Sequence, residues 1–76
     1  MKLTYDPIHN IAYLKFHEHG EQVTTLSISD ALNIDIAPDG TLYGIEMLNA
    51  NTQLADDGGN LILELGNTRQ QFALAA

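Results

Sequence analysis

The stretch KFHEHGE, residues 15–21, holds the densest group of potential metal ligands in the chain. His17 and His19 stand two apart, with Glu18 between them and Glu21 just beyond. On an extended strand, residues two apart point to one side, so both imidazoles can meet a single ion. Zinc or a similar metal asks for three or four His, Cys or carboxylate ligands at about 2 Å. The chain has no cysteine, and its third histidine, His9, falls in the first turn, at the far end of the same hairpin. A third ligand would have to be Glu21 or a carboxylate from elsewhere. The pair lacks the full donor set that a metal centre needs, so the stretch reads as a strand running out into a polar turn. A small metal-binding protein or enzyme using His17 and His19 stands as the alternative.

Four carboxylates, Asp6, Asp35, Asp39 and Glu46, form a second candidate group if the first two hairpins lie side by side. Paired carboxylates do acid–base work when their surroundings drive their pKa values apart. Asp6 and Asp39, however, begin or occupy tight turns, where an Asp side chain ordinarily bonds the local backbone. Asp35 and Glu46 are expected to face water across the sheet. ADDGGN, with Asp56 and Asp57, has the flavour of a calcium loop but not its spacing, and no bidentate Glu follows. Ser27 and Ser29 lie near Asp30 without a histidine placed to activate either hydroxyl. No phosphate-cradling glycine loop is present. The residues therefore assign no catalytic, cofactor-binding or metal site and imply no cofactor, and they favour a binding role over catalysis.

These groups sit on a chain of 76 residues with ten acidic and three basic side chains, a formal net charge of −7. Lys2, Lys15 and Arg69 form no run, so nucleic acid is not an expected partner. A basic protein would be attracted by the same field. The N-terminal MKLTYDP contains no apolar run of the kind a secretory signal needs. Nor does any stretch approach the roughly 20 apolar residues of a membrane span. The absence of cysteine fits a reducing compartment, and a cytoplasmic domain is expected.

A period of two dominates the pattern, and it predicts one small, mainly β domain over residues 1–76: an antiparallel sheet of about three hairpins with one short helical segment. In the first hairpin a Pro7–Asn10 loop sets Tyr5 against Ala12 and Leu3 against Leu14. The second, ALNIDIAPDGTLYGIEML, admits two registers. A two-residue Asp-Gly loop sets Ile36 against Tyr43, Ile34 against Ile45 and Leu32 against Met47. A three-residue loop with Pro38 at its second position and Gly40 in a bulge suits the turn chemistry better, and puts Gly44 and Glu46 on the face of Ile34. VTTLSIS reads as a short edge strand. NANTQLAD reads as a turn or two of helix capped by Asn49 or Asn51 and stopped at Gly58-Gly59. A turn at Gly66–Arg69 pairs Leu63 with Phe72 and Leu61 with Leu74. The expected core comprises Leu3, Tyr5, Leu14, Phe16, Ile34, Ile36, Ile45, Leu63 and Phe72.

YDPIHNIAYLKF and NIDIAPDGTLYGIEMLNA together resemble a widespread family of small bacterial proteins catalogued only as a domain of unknown function. Tyr5, Asp6, Tyr13, Asp35, Gly40, Gly44, Ile45, Glu46 and Leu48 fall where that family's signature places them, while Asn10 stands where an aspartate is expected. The resemblance covers about the first two-thirds of the chain, and KFHEHGE lies outside its signature. It implies a stand-alone cytoplasmic domain without an established activity, with a small toxin-like partner suspected for some members.

Apolar residues on the second face of several strands, such as Ile11, Tyr13, Ile62 and Ala73, raise a separate expectation. A single sheet cannot cover both faces, whereas two packed sheets can. The chain is expected to form a homo-oligomer, a symmetric dimer being the commonest form.

Overall fold

The computed structural model describes residues 1–18 and 20–73. Five strands, β1 (Lys2–Asp6), β2 (Ile11–Lys15), β3 (Thr24–Ser29), β4 (Leu32–Ile36) and β5 (Leu42–Leu48), form one antiparallel sheet in the order β1-β2-β5-β4-β3. Two single turns follow, α1 (Ala50–Gln53) and α2 (Asp56–Gly59), and then a separate two-stranded sheet, β6 (Asn60–Leu65) with β7 (Thr68–Ala73). The mainly antiparallel β architecture matches the alternation in the sequence, and VTTLSIS supplies the edge strand β3.

The first hairpin has the expected register, Leu3 opposite Leu14 and Tyr5 opposite Ala12. Its loop returns through Asn10 at φ 57°, a left-handed conformation that Asn tolerates better than most residues. The second hairpin takes its loop from one of the competing registers and the pairing of its strands from the other, so that neither holds throughout. The Ala37 N–H donates to the Thr41 carbonyl at 2.8 Å and the Gly40 N–H to the Ala37 carbonyl at 2.9 Å, closing a three-residue loop with Gly40 at φ 88°. Ile36 consequently faces Leu42. Tyr43 is then one residue too many, and beyond this bulge Asp35 meets Gly44, Ile34 meets Ile45 and Leu32 meets Met47. Turn chemistry governs the loop, apolar matching governs the body of the strands, and the bulge absorbs the difference. Glu46 therefore leaves the face of Ile34 and pairs with Asn33.

The last hairpin corrects its predicted register. Leu61 faces Phe72 and Leu63 faces Gln70, because the chain turns in two residues, Gly66 and Asn67, with Gly66 at φ 59°. Gly at the first central position suits a type II′ turn, tighter than the loop expected. The shift is of two residues, so each side chain keeps its face but changes its partner. Leu74 lies outside the described residues. α1 begins after Asn49 as expected, although Asn49 sits at φ 52° and its side chain makes no capping bond.

The predicted core needs a larger correction. None of its nine residues is fully buried: seven are half-buried, while Phe16 and Phe72 are 37% and 49% exposed. The buried hydrophobic residues are instead Ala12, Ala37, Tyr43 and Ala50. Neither β6 nor β7 shares more than isolated close backbone contacts with the five-stranded sheet, and the apolar rows of that sheet stay half-exposed.

Candidate functional site

The registers sort the five-stranded sheet into rows. Leu26, Ile34, Ile45, Leu14 and Leu3 run across one face, with Leu32, Met47, Ala12 and Tyr5 beside them. The opposite face carries Ser27, Asn33, Glu46, Tyr13 and Thr4 in one row, and Thr25, Asp35, Gly44, Lys15 and Lys2 in the next. This second face is where the chain concentrates its polar chemistry.

At its centre Tyr13 leans from β2 across β5 and donates its hydroxyl to Asp35 Oδ2 on β4 at 2.6 Å. The other oxygen, Asp35 Oδ1, accepts from Thr25 Oγ1 on β3, also at 2.6 Å. Three strands, β2, β4 and β3, are thus tied through one carboxylate, across the intervening β5. Gly44 makes the crossing possible: a Cβ placed there would lie 2.2 Å from the Tyr13 hydroxyl oxygen. Next to this track, Asn33 Nδ2 donates to Glu46 Oε1 at 2.9 Å. Asp35 and Glu46 therefore work as bonded acceptors within the sheet and do not merely face water.

Partial burial, and after it the bond to the Asp35 carboxylate, push the Tyr13 phenol well above the usual tyrosine range. A folded-state pKa raised in this way contributes stability that is complete below the unfolded value, about 10, and is lost as pH rises above it. The wild-type chain is accordingly expected to lose stability between about pH 10 and pH 12 more steeply than a Tyr13→Phe variant, as urea midpoints across that range would report. Parallel slopes for the two proteins would contradict the assignment.

The remaining sequence candidates are dispersed. Asp6 and Asp39 lie at opposite ends of the sheet and do hold turns. Asp6 Oδ1 accepts from the Ile8 and His9 N–H groups at 2.9 and 3.3 Å, and Asp39 Oδ1 accepts from the Thr41 N–H at 3.0 Å and its hydroxyl at 2.6 Å. Both carboxyls are held below the usual range, Asp6 chiefly by the His9 ring and Asp39 chiefly by the Thr41 hydroxyl. Ser27 donates to the Ser29 carbonyl, and Ser29 Oγ accepts from the Ala31 N–H, both turn roles.

His17 stacks on Tyr43 with ring centroids 5.4 Å apart, and its Nδ1 lies 3.5 Å from Glu21 Oε2. His9 is at the other end of the hairpin, 2.7 Å from Asp6 Oδ2. His19 and the side chains of Asp56 and Asp57 fall outside what is described. Among the described residues no three His, Cys, Asp or Glu side chains converge on a common point. No described helix is long and apolar enough to cross a membrane.

Two residues count for more than sequence reasoning gave them. Tyr43, the bulged residue, is 8% exposed and supports His17. Asn10 joins the first turn to α1: its Oδ1 accepts from the Tyr5 hydroxyl at 3.1 Å and the Asn51 N–H at 2.8 Å, and its Nδ2 donates to Asn51 Oδ1 at 2.7 Å and Asn49 Oδ1 at 3.2 Å. Matched apolar faces gave a signal for neither, since both act at a break in the alternation.

The pattern that defines DUF2283, described as a protein of unknown function, matches residues 2–51. That segment spans the five-stranded sheet, both of its main turns and the start of α1. No curated protein and no solved structure matches the chain.

Proposed function

The chain belongs to the DUF2283 family, and from that premise we propose that it is a self-associating, protein-binding module whose apolar sheet face is covered by a second copy. The observation that carries this reading is the missing core: no large side chain among the described residues is fully buried. The accessible surface is 5548 Å², whereas a compact monomer of this mass exposes about 4,600 Å². The radius of gyration is 13.5 Å, against about 11 Å for a compact chain of the same length. The surplus of roughly 950 Å² is close to the area, about 800 Å² per partner, that a standard interface removes from water.

A two-fold pairing of the apolar faces would bury the rows centred on Ile45 and Met47 and leave the polar face outward. With a net charge of −7, each copy then offers its partners an acidic exterior suited to a basic protein chain. A cytoplasmic setting belongs to the same reading.

Light scattering coupled to size exclusion tests it. At about 50 μM, well above the dissociation constant of a stable interface, the expected mass is twice 8.3 kDa. Leu26, 48% exposed on the edge strand, can be changed without opening the fold. Leu26→Asp is expected to weaken the dimer at least about ten-fold, because it buries a charge in the interface. A strictly monomeric wild type at that concentration would overturn self-association.

A further inference from the structure

We propose that the open end of the first hairpin binds the phosphate group of a small molecule. The chain has only three Lys and Arg side chains, and two of them, Lys2 and Lys15, are direct cross-strand partners. Like charges placed opposite each other destabilise a sheet, and neither lysine forms an ion pair with a carboxylate among the described residues. An acidic chain that places two of its few cations side by side has concentrated there a local field opposite in sign to its net charge.

The surroundings are built around that pair. Lys2, Lys15, His17, Met1 and Glu18 line a pocket of about 430 Å³. The nearly buried Tyr43 ring holds two of these groups: the Lys15 ammonium lies 5.8 Å from its centroid, and the His17 imidazole stacks on it. Side chains on directly opposed residues start about 5 Å apart, so two flexible lysines can bring their ammonium groups onto different oxygens of one tetrahedral anion. The His17 ring, its Nδ1 3.5 Å from Glu21 Oε2, supplies a third donor through Nε2 when it is doubly protonated. The volume exceeds the needs of a bare ion and falls within the range of small-molecule sites, leaving space for an organic substituent beside His17 and Glu18. Two lysines outnumber Glu18, the one carboxylate in the lining, and Glu21 is drawn to the His17 ring; charges further away than about 8 Å are largely screened at physiological ionic strength. An extended nucleic acid, by contrast, would need a continuous basic track, and none exists here.

Titrating phenyl phosphate and inorganic phosphate separately into the full chain, with binding followed by calorimetry and by NMR shifts of residues 1–18, tests the proposal. Phenyl phosphate is expected to bind with a millimolar or lower dissociation constant, and Lys2→Gln or Lys15→Gln to weaken it at least about ten-fold, equivalent to about 1.4 kcal/mol. Lys15→Arg keeps the charge and is expected to retain binding, and Arg69→Gln should leave it unchanged. Equal binding of inorganic phosphate would support the site with free phosphate as its ligand. No binding of either probe at about 10 mM, far above the expected constant, would overturn it. So would unaltered binding by folded Lys2→Gln and Lys15→Gln variants.

Discussion

Gly44→Ala is expected to destabilise the chain by about 2–4 kcal/mol, because it drives a methyl group into the space that the Tyr13 ring occupies. The added Cβ would meet Tyr13 Oη, Cζ and Cε1 at 2.2, 2.4 and 2.7 Å, so the ring has to leave its place above β5. Leaving breaks the bond to Asp35 and uncouples β2 from β4. A hydrogen bond to a charged acceptor contributes about 1.5–3 kcal/mol and overpacking costs typically 1–3 kcal/mol; the two are not additive here, because the ring relieves the overlap by giving up the bond, and the expected total stays at about 2–4 kcal/mol. The cause is separable in a double-mutant cycle. In a Tyr13→Ala background the same Gly44→Ala change is expected to cost less than about 0.5 kcal/mol, or even to stabilise, since Ala loses less backbone freedom on folding than Gly. Equal costs in the two backgrounds, measured by urea unfolding, would show that the ring is not the obstacle.

Asn10→Ala is the second large effect, at about 2–3 kcal/mol. Ala cannot replace any of the four side-chain bonds that Asn10 makes with Tyr5, Asn49 and Asn51, and it must also adopt φ 57°. Asn10→Asp separates the two causes. Aspartate tolerates the left-handed region and keeps the acceptor for Tyr5 and the Asn51 N–H, while the Asn49 and Asn51 amides can turn their NH₂ groups towards it. Its expected cost is below about 1 kcal/mol. An aspartate as damaging as alanine would mean that the two amide donors of Asn10, and not the backbone, carry the effect.

The sequence made the first hairpin legible because its loop chemistry and its apolar faces agree on one register. In the second hairpin they disagree, and a bulge at Tyr43 that serves both cannot be read from either pattern alone. The third hairpin slipped by two residues because Leu61 and Leu63 alternate on one face and accept either partner set. The core was misjudged for another reason: alternation tells which side chains share a face, not whether anything lies over it. Among the candidate site residues, the turn roles of Asp6 and Asp39 were legible from position. The bond between Tyr13 and Asp35 was not, because the two residues are not cross-strand partners and meet only across a glycine.

In the five-stranded sheet, every pairing except one joins neighbours along the chain. β2 with β5 is the exception: Lys15 meets Gly44 across 29 positions and Ile11 meets Leu48 across 37. Loop-closure entropy grows as (3/2)RT ln n, so holding Lys15 beside Gly44 costs about 1.5 kcal/mol more than closing the five-position span from Asp6 to Ile11. The seam repays that difference through its five backbone pairs and through the side chains that cross it, Tyr13 among them. Opened along this line, the sheet falls into a two-stranded hairpin and a three-stranded meander, and the hairpin at least is a piece that water alone barely sustains. The unity of the segment from residue 2 to residue 51 is therefore concentrated at the middle of the sheet and not at its edges.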